Sequence, residues 1–477
     1  MMLEYLKMTT KIEYKPQSPT PNRFRPRVII HGGAGNISPS TLPPHRYKQY
    51  RESLLTIITK THHYMFTVDA SNSFPSSLST ATYAVTLLED NPLFNAGHGA
   101  VFTRDGYNEL EASIMVSHPE SYPKRGVGVT GLRRVRNPIL LAKAILEHGH
   151  DDLLGRHSSP SSHSEPLDVP NAQGHTLLHG PAAEQLAKQY NLEIVPQSYF
   201  YTQTRWDEHT RALDREKQKP GEELATYSKE EYLPQGTVGA VTLDEQGVVT
   251  VATSTGGLTN KLTGRIGDTP SVGAGFWAEN WAEKGNPSGV SDWKHRPGPA
   301  VVISDALRGL MADCLPTPFQ HNPLPKTPRI VTTRSMAVSG TGNGDSFLRT
   351  AAARTVGAMA RFGGISSVEA VSRVAGPGGE LQNSAGDRWG LTGEGAGGII
   401  GIETIEVQDD KGEKLDLRSE ILQNFNCGGM FRAWVDRRSH AHVRVWREDQ
   451  ELPDGYWGED EAVDLRNPAI KGEPALL

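Results

Sequence analysis

The apolar positions of this chain fall into short β-rich runs and longer helical stretches, punctuated by glycine and proline. "RVIIHGGAG" (Arg27–Gly35) reads as a buried strand running into a turn. Helical segments are expected over Tyr47–Tyr64 and Ser77–Leu88, then strands over Glu109–Val116 and Val127–Leu132. "NPILLAKAILEHG" predicts a helix capped by Asn137, with proline in its first turn and Gly149 as its stop. The stretch 156–174, "RHSSPSSHSEPLDVPNAQG", predicts a flexible loop whose histidines are solvated rather than metal-bound. "GPAAEQLAKQY" then returns to helical spacing.

Polar residues dominate the next segment, 203–235, which reads as a second flexible loop. The pattern changes abruptly at "LPQGTVGAVTL" (233–243), where the text becomes apolar and strand-like. Two β-rich runs flank "EQG", a three-residue connection ending in glycine, and this predicts a hairpin. If Asp244 pairs with Val248, paired positions sum to 492 and Thr237 stands opposite Thr255. Strands, helices, more strands and more helices predict a layered α+β or α/β fold rather than a bundle.

Composition narrows the picture in four places. Forty-nine basic and 55 acidic residues nearly balance, so nothing in the charge calls for nucleic acid or a membrane surface as partner. Two cysteines, Cys314 and Cys427, make no disulfide framework and suit a reducing, cytoplasmic setting. The first 26 residues are polar and proline-bearing, lack a signal-like apolar run, and read as a disordered tail; no later stretch is apolar enough to span a membrane. The 49 glycines are clustered, as in "STGGL" and "GEGAGGIIG", which is how backbones are brought close together around a site.

The residue at the loop-to-strand boundary is Thr237, directly after Gly236. A threonine hydroxyl is a weak nucleophile and needs an adjacent base. Cutting the bond before it would free an α-amino group on the same residue, with an ordinary pKa of about 7.7–8.0, so that part of it is neutral near pH 7. "GTV" alone is a common way to enter a strand, and so says little.

The run "GTVGAVTLDEQGVVTVATSTGGLTNKLTGRIGDTPSVGAG" says much more. It resembles the plant-type L-asparaginases and isoaspartyl peptidases, which are N-terminal-nucleophile threonine hydrolases. "HGGAG", "LEDNPLFNAGHGAVFTRDG", "VSGTGNGDSFLR", "GAGGIIGI" and "CGGMFRAW" are similar to the same family in the same order, so the resemblance spans most of residues 27–445. It implies a four-layer αββα sandwich made as one domain, cut into an α chain (27–236, after the tail) and a β chain (237–477). Thr237 then corresponds to the nucleophile freed by autocleavage between Gly236 and Thr237, and Thr255 to the threonine that orients it. Arg265 and Asp268 correspond to the holders of the substrate α-carboxylate and α-ammonium, a guanidinium fork and a carboxylate suited to one small zwitterion. Thr341 and the Gly342 amide correspond to an oxyanion hole, and Gly344 to a contact with the substrate amino group. Asn95 matches an asparagine that assists processing. The resemblance further implies a structural sodium ion on the main-chain carbonyls of Leu88, Glu89, Asn91, Phe94, Ala96 and His98, no required cofactor, and a dimer of cleaved αβ units.

The implied activity is hydrolysis of L-asparagine and β-aspartyl dipeptides through a β-aspartyl ester on Thr237. Two departures stand out. Gly340, Asn343 and Asp345 replace the family's usual residues in the second glycine-rich element, and an insertion, Phe276 to Met336, carries Trp277, Trp281 and Trp293 as a candidate lid or an appendage. The alternatives are a glycosylasparaginase-like enzyme, an aspartate-specific threonine endopeptidase, or an uncleaved binding protein without catalysis. The first two usually carry Asp-Gly-Thr at the junction, where this chain has Gln235-Gly236-Thr237.

Overall fold

The computed structural model describes residues 23–68, 73–117, 125–154, 171–222, 224–233, 236–284, 330–448, 450, 452–456 and 461–466. Residues 1–22 of the expected tail, 156–170 of the expected loop 156–174 and the tryptophan at 293 lie outside the described residues, while Phe24, within the expected tail of 26 residues, is buried in the core with Val241, Leu243 and Val249. The fold is α+β. The first half supplies β1 (Arg27–Gly35), α1 (Pro44–Met65), α2 (Ser77–Glu89), β2 (Leu110–Val116), β3 (Gly126–Leu132), α3 (Pro138–Leu154), β4 (Leu177–His179), α4 (Gly180–Gln189) and α5 (Gln203–Gln218). The second half supplies β5 (Val238–Leu243), β6 (Val249–Thr255), β7 (Phe276–Lys284) and β8 (Val331–Gly342). After these come helices α6 (Gly344–Thr350), α7 (Ala352–Phe362), α8 (Ser367–Ala375) and α9 (Glu380–Asn383). Strands β9 (Gly397–Gln408), β10 (Lys414–Phe425), β11 (Gly429–Val435), β12 (His440–Arg444) and β13 (Val463–Asp464) complete the order.

These strands form a nine-stranded sheet, β13-β12-β11-β1-β5-β6-β2-β3-β4, and a four-stranded sheet, β10-β9-β8-β7. Strand periodicity explains how they pack. In β2, Leu110, Ala112, Ile114 and Val116 join a core shared with α1, α2 and α3, while Met115 points to the other face. There it meets Ile29, Val241 and Val251 of its own sheet and Phe276, Ala337, Ile400 and Ile402 of the four-stranded sheet. The far face of that second sheet presents Trp281, Met336, Val338 and Ile399 to α7 and α8. Strands buried on both faces need apolar residues at nearly every position, which is why "VIIHGGAG" and "GAVTL" lack a polar alternate.

The structure corrects four sequence expectations. Residues 203–218 are a helix, not a flexible loop: Thr202 caps it, and Arg205, Glu208, His209 and Ala212 are buried on one face. The signal was hidden because that face is itself polar. Arg205 pairs with Glu208 at 2.8 Å and donates to the carbonyls of Gly99 and Leu93. Second, Tyr232 and Leu233, also placed in the expected loop, are buried. Third, α3 runs through Gly149 to Leu154; a glycine inside a helix costs about 1 kcal/mol and does not force a stop. Its N-terminal amide at Ile139 is capped by the Glu89 carboxylate, while the Asn137 side chain donates to Asp90. Fourth, both ends of the expected insertion are sheet. β7 and β8 pair from Phe276↔Ser339 to Lys284↔Val331, so Trp277 and Trp281 belong to a core strand, and residues 285–329 lie outside the described residues.

Candidate active site

The hairpin β5–β6 sets the site's geometry. Its pairs run from Val238↔Ser254 to Leu243↔Val249, every one summing to 492, and Asp244 N–H closes the turn on the Val248 carbonyl at 3.1 Å. Gly247 takes φ +89°, the left-handed conformation expected of a glycine ending this loop. The ladder stops one pair short of Thr237 and Thr255, which both line one crevice with Glu111, Arg265, Asp268, Thr269, Gly342 and Gly344. That crevice is about 10 Å³, room for a single water.

Three contacts converge on the Gly236–Thr237 junction. Asn95 Nδ2 lies 3.4 Å from the Gly236 carbonyl while donating to the Gly257 carbonyl at 2.7 Å. Its Oδ1 accepts from Val101 N–H, so the amide is held from both ends. Thr341 Oγ1 donates to the Thr237 carbonyl at 2.9 Å. The Thr237 hydroxyl itself sits 2.7 Å from that of Thr269. Thr255 Oγ1 accepts from Gly257 N–H at 3.0 Å. Gly236 has no room for a side chain: a Cβ there would stand 2.5 Å from Gly33 Cα and 2.8 Å from Thr341 Oγ1. The glycines of "HGGAG" thus serve to let β1 approach the junction. His31, in the same motif, bonds Ser339 Oγ across the two sheets at 2.7 Å. Burial drives its pKa down to about 3, so the ring is neutral at physiological pH.

The substrate-facing groups lie beside this junction. Arg265 Nη2 donates to Asp345 Oδ2 at 3.1 Å, and its side chain is mostly covered. Asp268 is buried, and its Oδ2 has no hydrogen-bond partner among the described residues. Burial pushes its carboxyl up to about 7; the Arg265 guanidinium opposes the shift, and the Glu111 and Asp345 carboxylates add to it. A buried carboxylate oxygen left open is a ready acceptor for an arriving ammonium. A side chain on Gly344 would collide with Asp268 Oδ1 at 2.6 Å, so only glycine keeps this space clear. Gly342, at φ +139°, is equally hemmed in by Ala396 and Gly397.

Sequence reasoning missed two residues here. Glu111 is buried on β2 and accepts from Thr130 Oγ1 and Gly267 N–H, which fixes the loop carrying Arg265 and Asp268. Thr269 touches the Thr237 hydroxyl, and its one sequence signal was its place directly after Asp268. A larger cavity of about 620 Å³ lies around Arg27, Arg418 and Arg437. It has no part in this chemistry: none of the residues lining it lines the crevice, Arg27 and Arg437 donate to the Ser419 carbonyl, and Arg418 pairs with Asp416.

The loop between α2 and β2 bears on the sodium expectation. A Cβ on Gly97 would collide with the Glu89 carbonyl oxygen, and one on Gly99 with that of Phe94, so only glycine fits at either position. An all-oxygen set of neutral carbonyls fits a hard monovalent cation. His98 takes no part through its ring, whose Nδ1 bonds the Tyr199 carbonyl at 2.6 Å. Among the described residues no three His, Cys, Asp or Glu side chains gather as a metal cage, and no helix is long and apolar enough to cross a membrane.

The sequence matches the family described as Asparaginase over residues 24–166 and 167–284. It is 31% identical to the isoaspartyl peptidase of Escherichia coli over 424 residues, covering 88% of this chain and 96% of that protein. The isoaspartyl peptidase of Salmonella typhimurium is 30% identical, with 88% and 98% covered. The isoaspartyl peptidase/L-asparaginase of Rattus norvegicus is 33% identical over 254 residues, 53% of this chain and 62% of that protein. With the family pattern matched over more than half of its length and bacterial relatives aligned almost end to end, the chain belongs to the asparaginase family.

Proposed function

We propose that this protein is a self-processing threonine hydrolase that removes the side-chain amide of L-asparagine and cleaves β-aspartyl dipeptides. Thr237 Oγ1 attacks the Gly236 carbonyl carbon and the Asn95 amide receives the developing oxyanion; the C–N bond to Thr237 then breaks as the proton from Oγ1 passes to the departing nitrogen, and water hydrolyses the resulting ester between Gly236 and Thr237 Oγ1. The freed Thr237 amino group is then the base that its own hydroxyl needs. In the mature site Arg265 and Asp268 take the α-carboxylate and α-ammonium of the substrate. Thr341 Oγ1, released from the Thr237 carbonyl, and the Gly342 N–H stabilise the second oxyanion. Ammonia or the amine leaves, and water releases aspartate from the Thr237 ester.

The observation that carries this reading is the convergence of Asn95, Thr341 and Thr269 on one buried Gly-Thr junction, beside a carboxylate with an open oxygen. The same reading makes residues 27–236 and 237–477 two chains of one four-layer αββα domain. It is supported by three apolar cores in sequence: helices on sheet, sheet on sheet, and sheet on helices. The carbonyls of Leu88, Glu89, Asn91, Phe94, Ala96 and His98 would hold a sodium ion, which would brace the loop that presents Asn95. Two αβ units would pair in the working enzyme.

The test is maturation followed on a denaturing gel. The purified protein should split into two fragments of nearly equal length, the second beginning Thr-Val-Gly-Ala-Val, and should then release ammonia from L-asparagine. Thr237→Ala should remain one chain and turn over neither substrate. An intact single chain with activity would refute the mechanism.

A further inference from the structure

We propose that Thr269 is a further catalytic residue, the hydroxyl that holds the Thr237 nucleophile in line with the substrate crevice. The inference rests on Thr237 being the nucleophile. The two Oγ1 atoms are 2.7 Å apart, both residues are buried, and both line the crevice. Thr255, the residue expected to do this job, accepts from Gly257 N–H at 3.0 Å, whereas the hydroxyl that stands 2.7 Å from Thr237 Oγ1 is that of Thr269.

The turn that carries Thr269 is stiff. The Asp268 carbonyl accepts from both Ser271 N–H and Gly275 N–H, and Pro270 packs so closely on β3 that Gly128 could carry no side chain. A hydroxyl on such a turn is placed as firmly as a backbone group. Its chemistry is that of orientation, because a threonine hydroxyl is neutral near pH 7 and takes no proton from its neighbour. The Thr237 side chain has three staggered positions, and pairing with Thr269 selects the one facing the crevice. Because Thr269 directly follows Asp268, one peptide unit fixes the distance from the ammonium holder to the attacking oxygen. A reactive pair held at near-attack distance gains its rate from that placement and not from added affinity.

Two substitutions isolate the hydroxyl. Thr269→Val keeps the branched shape and loses the oxygen; Thr269→Ser keeps the oxygen and loses the methyl. Fragment appearance and steady-state asparagine hydrolysis are followed for both, with Thr237→Ala as the control. Thr269→Val should mature slowly and, once mature, show kcat lower by about tenfold with KM within about twofold, the loss of one neutral hydrogen bond to the reacting atom. Thr269→Ser should stay within about twofold of the parent. The acid limb of the kcat/KM profile should not move in either, since the base is unchanged. If Thr269→Val does not mature while Thr269→Ser does, the hydroxyl is again the cause, and the inference stands. Parental kcat in Thr269→Val, or a raised KM with unchanged kcat, would overturn it. An active Thr237→Ala protein would instead overturn the reading beneath it.

Discussion

Asp268 should make the protein less stable as pH rises, and removing its charge should reverse that. Its carboxyl is held up at about 7 against an ordinary 3.8, chiefly by burial. Below about pH 4 the group is protonated in both folded and unfolded chains, and nothing is lost. As pH climbs, the unfolded chain gives up its proton first. Folding then either keeps a proton that water would remove or buries a bare charge, so stability falls until the folded carboxyl has ionised as well. The gap of about three pH units corresponds to about 4 kcal/mol, fully expressed above pH 7. At pH 5 only about 1–2 kcal/mol of it has accrued. The assay is urea unfolding by tryptophan fluorescence at pH 5 and pH 8, comparing Asp268→Asn with its parent. Both carry Thr237→Ala so that the chain stays whole. The asparagine variant should be the more stable of the two, by about 2–3 kcal/mol more at pH 8 than at pH 5. A difference of equal size at both pH values would refute the reasoning, because the penalty would not then come from ionisation. Restoring processing in this variant should leave a protein that matures but hydrolyses asparagine poorly.

Two further outcomes are expected. Asn95→Asp keeps the shape of the side chain but removes the donor that faces the Gly236 carbonyl, so fragment appearance should slow by about a hundredfold, the usual effect of losing one oxyanion donor; cleavage at the parental rate would remove Asn95 from the processing step. Arg205→Met leaves Glu208 buried on α5 with its close partner gone and should cost about 3–5 kcal/mol in urea unfolding. Adding Glu208→Leu should recover much of that loss, and an undisturbed single variant would mean that the pair does not hold the helix.

How much of this could be read from the sequence depended on which physical signal carried it. The hairpin register came from a turn and a count, and the structure keeps it to the residue, with the turn closed by Asp244 N–H on the Val248 carbonyl. The helix α1 was legible because Tyr47, Tyr50, Leu54, Ile57, Ile58 and Met65 recur at helical spacing on its buried face. The helix α5 was not, since its buried stripe is made of Arg205, Glu208 and His209, which composition scores as solvent-facing. β7 was lost in the same way: "FWAENWAEK" alternates properly, but its partner β8 lies across a connection of more than forty residues, beyond any local signal. In the site, residues carried by glycine-rich motifs were found in the order expected. Thr269 and Glu111 were missed because their roles depend on contacts between β5, β2 and a turn that lie far apart in sequence.

The order of strands in the larger sheet has a consequence for the life of the protein after processing. Reading across that sheet, β13, β12 and β11 come from beyond Thr237, β1 from before it, β5 and β6 from beyond, and β2, β3 and β4 from before. The two products of a cut at Gly236–Thr237 would therefore be interleaved at three seams, each a run of backbone hydrogen bonds. They could not drift apart without melting the sheet, so a native sizing column would register no change. Unfolding is another matter. The uncut chain returns to its fold by a first-order process, whereas two separate chains must first find each other, and their recovery would depend on concentration. Processing would thus make activation a one-way event: the enzyme would outlast its own scission only for as long as it is never unfolded.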